Sequence, residues 1–135
     1  MDLQLTGKRA LVTGGSRGIG KAVARALAME GVDVALLARD MEALSQTAKD
    51  IANETGRHVV GVAADTADSV AVSQAVIAAE QSLDGGIDIL VNAAAEPAGH
   101  QAPPKLAEIT SEHFHISWTS KSWATCALHK LWLQA

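Results

Sequence analysis

The chain has 135 residues, with 15 acidic against 11 basic side chains and a formal charge of −4. That length suits one domain with a core of its own, and the acidic balance argues against nucleic acid as the main partner, because phosphate backbones draw basic faces. A single cysteine excludes an internal disulfide, no apolar run approaches the roughly 20 residues that span a bilayer, and the opening MDLQLTGKRALV lacks the charged-then-apolar pattern of a signal peptide, so a cytoplasmic setting is expected.

In chain order, RALVT (Arg9–Thr13) reads as a short buried strand that runs into glycines. The helical pattern after it places Ile19, Val23, Ala26 and Leu27 at i, i+4, i+7 and i+8, and these are expected to form its buried face, with Gly31 as the stop. DVALLA (Asp33–Ala38) is a second apolar strand. Asp40 is placed to cap a second helix with Leu44, Ala48, Ile51 and Ala52 inward, ending at Gly56. HVVGVAA (His58–Ala64) is a third strand, and Asp68 is placed to cap a third helix with Val72, Ala75, Val76, Ala79 and Leu83 inward. Asp84–Gly86 is a turn, and IDILVN (Ile87–Asn92) a fourth strand. The strands are near-continuous apolar runs alternating with helices, the pattern of a parallel sheet covered on both faces, so the fold class is α/β.

The connection Ala93–Ile109 holds all three prolines, and Thr110 is placed to cap a last helix. Every tryptophan (Trp118, Trp123, Trp132), the only phenylalanine (Phe114) and the only cysteine (Cys126) fall after residue 113. The composition shift divides the chain into residues 1–113 and a Trp-rich segment, 114–135.

Gly14, Gly18 and Gly20 lie between a strand and a helix. A helix N-terminus offers free N–H groups and about half a positive charge, and glycines let the backbone approach a pyrophosphate. The stretch GSRGIGKA fails as a P-loop, because Ala22 stands where a Mg²⁺-binding Ser or Thr is needed. A tight turn that binds nothing is the plain alternative.

TGGSRGIG (Thr13–Gly20) resembles the Thr-Gly-x-x-x-Gly-x-Gly cofactor motif of the short-chain dehydrogenases/reductases, and the resemblance runs from about Leu5 to Phe114. AADTAD puts Asp65, followed by Thr66, where that family's aspartate contacts the adenine. DILVNAAA resembles the family's Asn-Asn-Ala-Gly stretch: Asn92 matches one asparagine, while Ala93 and Ala95 replace the second asparagine and the glycine. LAEITSEHF resembles the lead-in to the next family helix. The resemblance implies a partial Rossmann, or doubly wound, three-layer fold with a parallel sheet of about four strands in the order 3-2-1-4. It implies a cofactor-binding set of Gly14, Ser16, Arg17, Gly18, Ile19, Gly20, Arg39, Asp65, Thr66, Asn92 and Ala93.

The choice of nucleotide turns on the end of the second strand. An NAD site of this type needs a carboxylate there for the ribose 2′-OH. Here Ala38 is followed by Arg39, and Arg17 lies in the glycine turn. Two guanidiniums suit a 2′-phosphate, and by resemblance this is the NADP pattern. The alternative, a solvated Arg39 with Asp40 on the ribose, is the lesser reading, because Asp40 is better used as a helix cap. NADP is expected over NAD.

In full-length members of the family, the resemblance implies a tyrosine as general acid/base, a lysine four residues later, a serine on the carbonyl oxygen and a supporting asparagine. The 135 residues contain no tyrosine. Counting seven past Phe114 reaches Lys121 rather than the asparagine, and His115 stands where an aspartate is usual. No catalytic residue is therefore expected in this chain. His113, His115, Cys126 and His129 lack a metal-site spacing. Ser120 with Lys121 and Cys126 with His129 lack an orienting third group. The tryptophans read as a packed face.

The expectation is a truncated family member whose fourth strand forms a sheet edge, open to the Trp-rich tail, a second copy or a partner chain. Full-length relatives would reduce a carbonyl or oxidise an alcohol, and this chain alone would be inactive or nearly so. A non-catalytic nucleotide-binding or dimerisation module is the alternative, and a poorly stable fragment the third.

Overall fold

The computed structural model describes residues 3–94. They form β1 (Arg9–Thr13), α1 (Gly18–Met29), β2 (Asp33–Ala38), α2 (Met41–Thr55), β3 (Val59–Ala63), α3 (Ser69–Ser82) and β4 (Ile89–Asn92). The expectations for Thr110, Phe114 and segment 114–135 lie outside the described residues. The strands make one parallel sheet in the order β3-β2-β1-β4, as expected.

Successive side chains on a strand point to opposite faces, so the two central strands feed two cores. Ala10, Val12, Val34 and Leu36 pack with Ala24 and Ala28 of α1 and with Leu44, Ala48 and Ile51 of α2. On the other face, Leu11, Ala35 and Leu37 pack with Val72, Ala75 and Ala79 of α3 and with Leu83. Burial on both faces is why β1 and β2 read as unbroken apolar runs.

Both aspartate caps form. Asp40 Oδ1 accepts from the Glu42 and Ala43 amides at 3.0 and 3.1 Å, and Asp68 Oδ1 accepts from the Val70 and Ala71 amides at 2.9 and 3.2 Å. Gly56 closes α2 in the left-handed region.

The inward face of α1 differs from the expected one. Gly20, Ala24 and Ala28 are buried, Val23 and Leu27 are half-buried, and Ile19 and Ala26 are exposed, Ile19 by 78%. The cause is steric. A Cβ built on Gly20 would stand 2.2 Å from the Gly14 carbonyl oxygen, so α1 runs too close to the end of β1 for bulky residues to face it. Small residues take the contact and the larger ones flank it. Smaller departures occur elsewhere: Ala52 and Val76 are half-buried, and Thr47 joins the inward face of α2. β3 and β4 are shorter than expected. At the start of β4, the Arg9 N–H donates to Asp88 Oδ2 and the Asp88 N–H to the Arg9 carbonyl, both at 2.9 Å, and the strand itself runs Ile89–Asn92.

Candidate functional site

Where β1 ends, the chain turns at Gly14, with φ +67°. The Gly14 N–H donates to the Leu37 carbonyl of β2 at 2.7 Å. A Cβ on Gly14 would fall 2.7 Å from the Ala93 carbonyl oxygen and 2.8 Å from Ala94 Cα, so the turn and the segment after β4 lie against each other. Thr13, 1% exposed, fastens them: its hydroxyl donates to the Val91 carbonyl at 3.4 Å and accepts from the Ala93 and Ala94 amides, each at 3.2 Å. On the other side, the Thr47 hydroxyl of α2 donates to the Ser16 carbonyl at 3.0 Å.

The turn delivers α1 with its N-terminus bare. Arg17, the N-cap residue, makes no side-chain capping bond, and the first turn holds no acid, whereas α2 and α3 are each capped by an aspartate. Within α1 itself, the positive end of the dipole therefore has no acidic side chain to offset it.

The C-terminal ends of all four strands converge there. Ala38 leads into Arg39 and Asp40, Ala63 into Ala64, Asp65, Thr66 and Ala67, and Asn92 into Ala93 and Ala94. Together with the glycine turn they enclose a cleft of about 660 Å³. Gly14, Ser16, Arg17, Gly18, Ile19, Gly20, Arg39, Asp65, Thr66 and Ala93 all line it; Asn92, exposed at the end of β4, does not. Sequence reasoning missed the lining residues Ala43, Ala64, Ala67 and Ala94; Ala38 and Asp40, weighed at the ribose position and set aside, line the cleft as well. These are mostly alanines, which carry no chemical signal and leave room.

It also missed Thr13 and Thr47 as supports. The available signal was a hydroxyl at the end of an apolar strand for Thr13 and on the apolar face of a helix, beside Leu44, Ala48 and Ile51, for Thr47, since a buried polar group needs a partner.

The two arginines at the cleft are uncommitted. Among the described residues, Arg17 and Arg39 make no ion pair and no side-chain hydrogen bond, while Lys8, Lys21, Arg25 and Arg57 are paired with Asp88, Asp50, Glu54 and Asp33. The hydrogen bond and charge of Glu54 raise the pKa of Arg25, which stays charged at any physiological pH. Asp65 is partly committed, accepting from the Ala67 amide at 2.9 Å.

Among the described residues, no group of His, Cys, Asp and Glu could hold a metal ion, and no helix is long and apolar enough to cross a membrane. His113, His115, Cys126, His129, Ser120 and Lys121 lie outside them.

Comparison with known proteins agrees with this geometry. A family model for short chain dehydrogenases matches residues 8–135, continuing past Phe114 through the Trp-rich segment. The chain is 35% identical over 128 residues to general stress protein 39 of Bacillus subtilis, covering 94% of this chain and 43% of that protein. It is 34% identical over 118 residues to 2,3-dihydro-2,3-dihydroxybenzoate dehydrogenase of the same organism, covering 87% and 43%. Among solved structures it is similar to L-sorbose reductase from Gluconobacter frateurii complexed with NADPH and L-sorbose, with a TM-score of 0.80, 32% identity and coverage of 96% of this chain and 48% of that one. A short chain dehydrogenase from Burkholderia cenocepacia in complex with NADP gives a TM-score of 0.74 at 36% identity, covering 93% and 51%. The chain thus spans less than half the length of these curated relatives and about half of these structures.

Proposed function

Because the chain belongs to the short-chain dehydrogenase/reductase family, we propose that its cleft binds NADP(H) as the dinucleotide half of an oxidoreductase site. The observation that carries the reading is the pairing of a bare helix N-terminus with two uncommitted arginines in one cleft. The cradle fits the ligand: Gly18 lines the cleft in the left-handed region with open space where a Cβ would stand, while Gly14 and Gly20 let the turn, α1 and the segment after β4 close against one another.

In this reading Ser16, Gly18, Ile19 and Gly20 face the pyrophosphate with backbone N–H groups, while Gly14, whose own N–H is taken by the Leu37 carbonyl, makes the turn that presents them. Arg17 and Arg39 hold the 2′-phosphate, Asp65 and Thr66 border the adenine, and Ala93 borders the ribose on the nicotinamide side; Asn92, outside the cleft lining, is left out of the set. The bound dinucleotide supplies a hydride donor or acceptor. The protein's part here is to orient it and to neutralise its phosphates. The activity proposed for the whole protein is reduction of a carbonyl or oxidation of an alcohol, in a cytoplasmic setting, with the dinucleotide as the partner this chain itself must recognise.

Calorimetric titration with NADPH and then NADH tests the reading. Saturable binding is expected, with NADPH tighter. Each charge-assisted contact contributes about 1.5–3 kcal/mol, so Arg39→Ala should weaken NADPH about ten- to a hundred-fold and leave NADH nearly unchanged. No binding of either dinucleotide by the folded chain would refute the proposal, and equal affinities would refute the roles of the arginines.

A further inference from the structure

Hydroxyl groups inside helices have a ready partner in the carbonyl one turn back. Thr55 donates to the Ile51 carbonyl at 2.7 Å, Ser73 to Ser69 at 2.9 Å and Ser82 to Ala78 at 2.8 Å. Thr47 departs from this habit. It sits in the middle of α2, 3% exposed, and its hydroxyl crosses to the Ser16 carbonyl at 3.0 Å, 31 residues earlier in the chain.

The partner carbonyl is one residue before the N-cap of α1. A peptide unit is planar, so anchoring the Ser16 carbonyl also fixes the direction of the Arg17 N–H and the point from which the Arg17 side chain departs. α2 is a firm anchor. Its Leu44 lies against Gly61 of β3, where even a Cβ would come within 3.0 Å of Leu44 Cβ. Its first residues carry the other arginine's surroundings: Asp40 and Ala43 line the cleft beside Arg39, and Thr47 is one turn past Ala43. The other polar links between α1 and α2, Lys21–Asp50 and Arg25–Glu54, join exposed side chains beyond the turn. Thr47 is thus the buried tie that sets the glycine turn, with Arg17, in register with the helix start that holds Arg39.

The geometry points to Thr47 as a positioning residue for recognition of a 2′-phosphate. It touches no cofactor and acts through Ser16 on the spacing of the two arginines. This rests on the reading of the cleft as an NADP(H) site.

The test compares the 135-residue chain with Thr47→Val, which removes the hydroxyl at similar volume, and with Thr47→Ser, which keeps it. Affinities for NADPH and NADH are measured for each beside thermal melting. The ratio of NADPH to NADH affinity should fall about three- to ten-fold in Thr47→Val, the scale of one lost hydrogen bond. It should return to within about two-fold of the starting value in Thr47→Ser, a difference of about 0.4 kcal/mol. An unchanged ratio in Thr47→Val, whether or not overall affinity drops, overturns the inference and leaves the cofactor reading intact. An unaltered chain that binds neither dinucleotide overturns both. If Thr47→Val does not fold, Thr47→Ala takes its place. If neither folds while Thr47→Ser does, the hydroxyl serves the fold at large and the inference fails.

Discussion

The Thr13 hydroxyl serves three backbone groups at once, the Val91 carbonyl and the Ala93 and Ala94 amides. Thr13→Val would remove the partner of all three at a half-buried position. Since each unsatisfied buried group costs about 1–3 kcal/mol, a loss of roughly 2–4 kcal/mol is expected in denaturant unfolding, with Thr13→Ser losing less than about 1 kcal/mol. A loss below about 0.5 kcal/mol in the valine variant would show that other groups satisfy those amides. Thr13 and Thr47 mark the limit of reading this site from sequence. Thr13 stood in plain view within TGGSRGIG, and Thr47 sat between the apolar residues Leu44 and Ala48. Each acts through a partner 31 or more residues distant, and one-dimensional spacing does not carry that kind of information. The arginines were legible as cleft residues because each lies next to a local signal, the glycine turn for Arg17 and the end of the second strand for Arg39.

At the level of the helices, capping divides structure from function. Asp40→Ala and Asp68→Ala should each cost about 1 kcal/mol, a fall of about 3–5 °C in Tm for a domain of this size. The bare start of α1 predicts the opposite pattern. Ile19 is exposed in its first turn, so Ile19→Glu places a carboxylate where the dipole favours one. Stability should hold or rise by about 0.3–1 kcal/mol, while NADPH affinity falls at least about ten-fold through like-charge repulsion with the pyrophosphate. Thermal melting and titration of the same sample check both signs; loss of stability together with binding would mean that Ile19 packs rather than faces a ligand. The aspartate caps were legible because a cap is local. The inward face of α1 was not. Hydrophobic periodicity weights bulk, and it selected Ile19 and Ala26, whereas the real contact is set by how near Gly20 brings the helix to Gly14.

For the molecule as a whole, alternating apolar runs and helices pointed to a parallel α/β sheet, the family resemblance implied the strand order, and that order is the one observed. The converging strand ends have a thermodynamic corollary. A ligand that binds only the folded state stabilises it by mass action, by about 2.7 kcal/mol at a concentration of 100 Kd. NADPH at that level should raise Tm by roughly 8–14 °C, with NADH at the same concentration raising it less. A Tm indifferent to NADPH in a cooperatively melting sample would mean the cleft is empty under those conditions. Arg39→Ala should erase most of the difference between the two dinucleotides in the same melting series.

The 2.2 Å gap above Gly20 also has a genetic reading. Every coded amino acid except glycine carries a Cβ, so every missense change at codon 20 pushes an atom into the Gly14 carbonyl. The size and polarity of the incoming residue are secondary, because the offending atom is common to them all. In a saturation library selected for dinucleotide binding, codon 20 should therefore survive only as its synonymous variants, alanine and serine being purged along with tryptophan.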